Sequence, residues 1–466
     1  MKKPSYLAAL LVATSIGRAG TDQLLAAPAA RPAAAKTVKS AKSVSAAADV
    51  ATAANAFIAT LSATQRTTLL QTLNSTNVTK WSNLPCGAQC RIGLQLSSLT
   101  TAQQTAALAV VQAATGTGTN EGYQEVQQIR AADDYLAANG GGSSYGSGIY
   151  FIAFLVTNTS ATTIGATDSW MLQFGGHHLA TNITFKNGNV TGPSPKFEGV
   201  EPLSFTSTGG IFASGTTVTP MGDEQASMLA MISGLTTAQK TTAKLSQTFS
   251  DVALGPGSDG QFPTTRVGIQ CSQLSTAQQA LVLAAMAPWV KDVDDATAAF
   301  LLSKYNDAMA NTYISYSGTG NFTSNADYAR IDGPNVWIEF VCQTGVVFRS
   351  NIHYHSIYRD RARDYGGNFY GTYTTALGTK AATAGSVFSV YPNPTTAGNA
   401  LQLQMLEPSI TGTYTLRNML GQAVRTSSFY GGAALIPTDG LAPGVYSVTV
   451  ETLTQQMATT TKVQVN

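Results

Sequence analysis

One short phrase occurs four times and fixes where four helices begin: LSATQR from Leu61, LTTAQQ from Leu99, LTTAQK from Leu235 and LSTAQQ from Leu274. In each, a Ser or Thr stands three residues ahead of a Gln. This is capping-box spacing, in which hydroxyl and amide satisfy the orphan backbone groups of a helix start. The recurrence reads either as one capping solution used repeatedly or as an old duplication, with a pair of helices before each histidine cluster. The sequences diverge quickly downstream of the phrases, which favours the first reading. A further helix is predicted over Glu121–Ala138, with Tyr123, Val126, Ile129, Arg130 and Leu136 near helical spacing and Asn139-Gly140 as its stop.

Elsewhere the pattern is β. WMLQF, HHLATNITF and VTGPSPKFEGVEP follow one another between Trp170 and Phe205, with Asn187-Gly188 as a hairpin signal. From Asn335, NVWIEFVCQ and VVFRSNIHYHSIYR flank Thr344-Gly345 as a second hairpin. The glycine-rich run Gly140–Gly146 follows a helix and precedes a strand-like segment, Ile149–Val156. That order is the reverse of a phosphate-binding loop and excludes a nucleotide cofactor on this motif. The fold class is α+β: a mixed helical and antiparallel β main domain, then a small all-β sandwich.

All four histidines fall in two pairs, His177-His178 and His353/His355. Imidazole is the commonest metal ligand, so two distant pairs point to one site assembled from both segments. On a strand, residues two apart share a face, which lets His353 and His355 aim at one ion. Adjacent His177 and His178 cannot do so in regular strand geometry. Either Gly175-Gly176 bends the backbone or only one is a ligand, with His178 preferred. Glu339, inside VWIEFV, is a third kind of candidate ligand, or else a buried salt-bridge partner of Arg359 or Arg330. It shares the histidine face if the hairpin turn has three residues and not if it has two. Glu198, Glu201 and Asp360 are further ligand or orienting candidates. The donor set suits zinc, copper, iron or manganese. No Gly-x-Ser-x-Gly elbow is present, and a Cys342 nucleophile has no supporting motif.

At 466 residues the chain exceeds a single ordinary core. A net charge of +2 with 11% charged residues offers no basic face for nucleic acid. Lys2-Lys3, the apolar stretch Leu7–Gly17, interrupted after it by Arg18, and the small residues to Ala30 read as a secretory signal over 1–30. A flexible linker is expected over 31–48, and no run is long enough to span a membrane. Four cysteines allow three pairings, among which the sequence does not choose; in one, Cys86 and Cys90 close a small loop, leaving Cys271 and Cys342 to pair or stay free.

GGHHLATNITFKNG, SPKFEGVEP, DYARIDGPNVWIEF and NIHYHSIYRDRARDYGG together resemble the domain of unknown function 3500 family, over roughly residues 49–375. The resemblance implies a shared fold and site, and no activity. After a linker over 376–385, residues 386–466 alternate apolar and polar positions. Tyr391-Pro392-Asn393-Pro394, Gly421-Gln422 and Gly444-Val445-Tyr446 resemble the type-A C-terminal sorting domain of the Bacteroidetes type IX secretion system. That resemblance implies passage through the periplasm to the cell surface or beyond, with the secretion machinery as partner of 386–466. Two functions are consistent with these features. One is a secreted metal-dependent hydrolase or oxidoreductase acting on a small-molecule or glycan substrate. In it His353, His355 and one of His177/His178 hold the ion, Asp360 or a Glu serves as base or orienter, and Arg359 stabilises an anion. The other is a non-catalytic metal- or glycan-binding surface module.

Overall fold

The computed structural model describes residues 46–369, 388–405, 412–418, 423–429, 432–452 and 459–466. The signal over 1–30, the linker over 376–385 and Gly421-Gln422 lie outside the described residues. The first half of the main domain contains α1 (Ala46–Ala59), α2 (Ala63–Leu69), β1 (Leu70–Thr72), α3 (Ser75–Val78), β2 (Leu94–Gln95), α4 (Thr101–Ala114) and α5 (Tyr123–Leu136). It continues with β3 (Phe151–Val156), β4 (Trp170–Gly176), β5 (Leu179–Lys186), β6 (Asn189–Gly192) and β7 (Lys196–Val200). A small ribbon, β8 (Phe205–Thr206) and β9 (Thr217–Val218), separates it from the second half. That half holds α6 (Gly222–Ser233), α7 (Thr237–Ala243), β10 (Ile269–Gln270), α8 (Thr276–Val290), α9 (Asp295–Asp307), β11 (Tyr313–Ser317), β12 (Tyr328–Asp332), β13 (Val336–Thr344) and β14 (Ile352–Asp360). Helix α1 starts inside the stretch 31–48 that was expected to be a linker.

All four capping boxes form, Ser62 with Gln65, Thr100 with Gln103, Thr236 with Gln239 and Ser275 with Gln278. They also pair across space. Gln65 bonds Gln103 and Gln239 bonds Gln278, while Gln103 and Gln278 each donate at 2.9 Å to the carbonyl two residues before the partner's cap, Thr60 and Gly234. Gly93 and Gly268 both take positive φ where a Cβ would strike a carbonyl, of Ile152 or of Ile314. The strand order β3-β4-β5-β7-β14-β13-β12-β11 is therefore two copies of one run, β3 to β7 and β11 to β14, meeting at the antiparallel β7·β14 pair. The duplication reading is the one the structure supports; downstream divergence of sequence left the element order intact.

One sheet face packs Phe154, Leu172, Ile183, Ile331, Ile338 and Phe340 against the helices. The other face, with Leu155, Met171, Phe197, Val341 and Ile357, packs on Trp81, Phe249, Val252, Leu254 and Phe262 from irregular segments. Each such fully buried side chain contributes about 1.5–3 kcal/mol of burial. Asn187 and Gly188, both at positive φ, close the β5·β6 hairpin as their dipeptide predicts.

The C-terminal region forms β15 (Phe388–Tyr391), β16 (Leu401–Met405), β17 (Gly412–Arg417), β18 (Ala423–Phe429), β19 (Ala433–Ile436), β20 (Gly444–Thr452) and β21 (Thr459–Val465). Sheets β15-β16-β19 and β18-β17-β20-β21 share a core that includes Leu401, Leu403, Leu416, Val448 and Val463. The fold is α+β followed by small all-β sheets.

Candidate functional site

Gly176 pairs with Leu179, so His177-His178 are the whole turn of the β4·β5 hairpin. His178 sits at φ +61°, a conformation that costs a non-glycine residue about 1–2 kcal/mol and persists where its surroundings impose it. Several groups impose it. Arg91, which follows the loop closed by the Cys86–Cys90 disulfide, donates to the carbonyls of Gly176, Ser82 and Leu84. Tyr150 donates to the His177 carbonyl at 2.8 Å, and Gly199 N–H to that of His178 at 2.8 Å. The glycines before the turn are thus ordinary strand residues; the two histidines themselves make the bend.

His353 and His355 project from the same face of β14, and their Nε2 atoms stand 3.2 Å apart. His178 joins them: one ring nitrogen from each of the three lies within 4.8 Å of the others. All three are buried, at 3%, 1% and 5% exposure. Zinc–imidazole bonds of about 2.0–2.1 Å in a tetrahedron put neighbouring nitrogens roughly 3.3 Å apart, which the His353/His355 separation matches. Burial, then the neighbouring imidazoles, drives the His178 pKa well below its usual value and that of His353 down to about 3. Both rings are therefore neutral at physiological pH, the form that binds metal. His355 has its Nδ1 fixed at 3.0 Å by Asp251, whose own carboxyl is raised by burial but brought below its usual range by the His355 contact. Nδ1 of His353 is buried with no hydrogen-bond partner among the described residues. Gly199 is the floor: a Cβ there would lie 2.9 Å from His355 Cδ2 and 3.0 Å from His178 Cδ2.

His177 stacks on His178 at 3.6 Å and is held differently. Its Nδ1 meets Asp133 of α5 at 2.8 Å, and the second Asp133 oxygen accepts from Tyr150 at 2.9 Å. Tyr145, from the glycine-rich run, stands edge-on to the His177 ring at 4.7 Å.

The other candidates lie apart from this group. The hairpin loop spans 345–351, an odd length, so Glu339 shares the histidine face. Its carboxylate is nevertheless filled by Ala253 N–H, Leu254 N–H, Tyr328 and Trp337, at 2.7–2.9 Å, and makes no salt bridge among the described residues. Arg359 is fully buried, bonding Asp259, Asp364 and the carbonyls of Leu254 and Gly255. Asp360 points to the opposite face and accepts from Tyr305 and Arg363. Glu201 accepts three backbone N–H groups of loop 345–351, and Glu198 contacts Lys196. Glu339 and Arg359 thus anchor the loop that carries Asp251, while Asp360 and Glu201 anchor other segments. Cys271 and Cys342 are free and buried, and burial pushes both thiols up, Cys271 to about 12.

Sequence reasoning missed Asp133, Asp251, Tyr150, Arg91 and Gly199. Asp133 had a signal, a carboxylate on the apolar stripe Val126, Ile129, Leu136 of its helix. Asp251 had none, lying in irregular chain.

Comparison with family models matches residues 43–367 to the protein of unknown function family DUF3500. The chain belongs to that family. Residues 389–466 match a secretion system C-terminal sorting domain, which implies export to the cell surface or extracellular space and interaction with the secretion machinery. No curated protein matches. A solved structure of PorZ, described as an essential surface component of the type-IX secretion system of Porphyromonas gingivalis, is similar over 28% of this chain and 15% of its own. The identity is 12% and the TM-score 0.16, a likeness too slight to inform the fold. Among the described residues no helix is long and apolar enough to cross a membrane.

Proposed function

We propose that this DUF3500 protein is a secreted metal-dependent enzyme, a hydrolase or oxidoreductase, with His178, His353 and His355 as ligands. The observation that carries the reading is the convergence of three buried imidazoles from two hairpins, with the His353 and His355 nitrogens at tetrahedral-edge separation. A divalent transition metal held there would acidify a water or polarise a substrate oxygen. Asp251 fixes the tautomer of His355 by accepting from Nδ1, leaving Nε2 for the centre. Asp133 holds Nδ1 of His177 in the same way, but His177 lies outside the His178, His353 and His355 group, and it flanks the centre as a hydrogen-bonding group rather than a ligand.

The near-complete burial of the three rings also suits the second reading, a closed metal-binding module without catalysis. Elemental analysis of the purified protein after exposure to zinc, copper, iron(II) or manganese tests both. One equivalent is expected in the wild type and none in His353→Ala/His355→Ala. A wild type without stoichiometric metal removes the basis of either reading; a loaded site that binds no exogenous ligand, such as azide, favours the module.

A further inference from the structure

A second buried cluster lies on the opposite, helix-covered face of the sheet. Lys196 of β7 places its Nζ in ion-pair contact with Glu198, with Asp292 and, at 3.4 Å, with Glu125 of α5. None of these side chains is more than 3% exposed. By strand register Leu179 and Ser356 flank Glu198, and Tyr358 and Thr181 flank Lys196, so no further charged side chain stands beside the pair on the sheet. Asp292 follows α8 and is aimed: its Oδ1 accepts from Gly122 N–H at 2.6 Å while Oδ2 faces Lys196. Glu198 retains an oxygen with no hydrogen-bond partner among the described residues. An amine, an oriented aspartyl carboxyl and an adjacent second carboxyl in a dry site are the components of amide formation.

We propose that Lys196 and Asp292 are joined by an intramolecular isopeptide bond that forms in the folded chain, with Glu198 transferring the protons. Glu198 takes a proton from the Lys196 ammonium and passes it to Oδ2 of Asp292, and the resulting amine attacks Cγ of the neutral acid. Glu198 then takes the second proton that the nitrogen loses and delivers it to the same oxygen, which leaves as water. Ammonium plus carboxylate become amide plus water, so charge and atoms balance with no co-reactant. Oδ1 remains a carbonyl and keeps its bond from Gly122.

Electrostatics support the chemistry. Burial raises the Asp292 carboxyl to about 7, favouring the neutral, electrophilic acid. Burial opposes charge on Lys196 too, but the surrounding carboxylates outweigh it and hold its proton firmly. The amine therefore arises by transfer inside the ion pair, where a neutral pair replaces two buried charges. The bond would tie the central strand β7 to the end of α8, across the sheet–helix boundary, without depending on redox conditions outside the cell.

Peptide mapping of the denatured, reduced wild-type protein tests the proposal independently of metal. The expected result is a branched peptide containing Lys196 and Asp292, lighter by one water than its two linear parts, with no tryptic cleavage after Lys196. Lys196→Arg and Asp292→Ala should each lose the branch. Glu198→Gln, verified as folded by circular dichroism, should leave Lys196 largely unlinked. Recovery of only linear peptides from the wild type overturns the proposal, as does a branch from Lys196 to Glu125 or Glu198. A Glu198→Gln protein linked at the wild-type level removes Glu198 from its role.

Discussion

Asp251 meets Nδ1 of His355 at 3.0 Å from a segment with no regular secondary structure. The contact is made reliable from behind. Glu339 accepts the N–H groups of Ala253 and Leu254, and Arg359 donates to the carbonyls of Leu254 and Gly255, so two strands clamp the backbone just beyond Asp251.

Asp251→Asn should weaken metal binding about 10–100-fold, the usual consequence of losing a carboxylate behind a ligating imidazole. Competition against a chromophoric chelator measures it. Unchanged affinity would mean that the His355 orientation is set elsewhere.

Glu339→Ala leaves two backbone N–H groups, the Tyr328 hydroxyl and the Trp337 indole N–H without their acceptor in a fully buried site. Unfolding in urea should show a loss of about 3–5 kcal/mol. A loss below about 1 kcal/mol would show that the loop finds other partners.

Gly199→Ala removes no ligand, yet its methyl group would lie 2.8 Å from the Tyr354 carbonyl and within 3.0 Å of two imidazole carbons. Metal occupancy should fall while the protein stays folded, since the clash falls on His178 and His355. Full occupancy with unaltered spectra of a cobalt-loaded sample would contradict the packing at this floor.

The Asp364 carboxyl is raised to about 6, by burial first, despite its pairing with Arg359. The folded state then holds a proton that the unfolded chain releases near pH 4, so this group's stabilising contribution is present below about pH 4. It is lost as pH rises through about 6, by up to about 3 kcal/mol. Urea unfolding of the wild type and of Asp364→Asn between pH 4 and 7 should differ by this slope; parallel curves would refute it.

Local rules carried much of the fold. Ser62, Thr100, Thr236 and Ser275 cap the helices they announce, Asn187-Gly188 turns the hairpin it predicts, and His353 and His355 share a face because strand periodicity requires it. Of the candidate site, only the histidines were legible. That His177-His178 would be a two-residue turn depends on Arg91 and Tyr150 holding the carbonyls around it, contacts spanning 85 and 27 residues. Glu339 looked like a ligand because a buried carboxylate needs a partner. Two of its four partners are the Tyr328 hydroxyl and the Trp337 indole; the other two are backbone N–H groups of residues 253 and 254, which side-chain identity cannot reveal. The duplication was obscured because only the caps, and not the packing positions after them, kept their residue types.

The β7·β14 seam places His178 on one repeat and His353 with His355 on the other. Neither repeat carries all three imidazoles, so the group exists only because antiparallel pairing of β7 with β14 holds the two hairpins side by side.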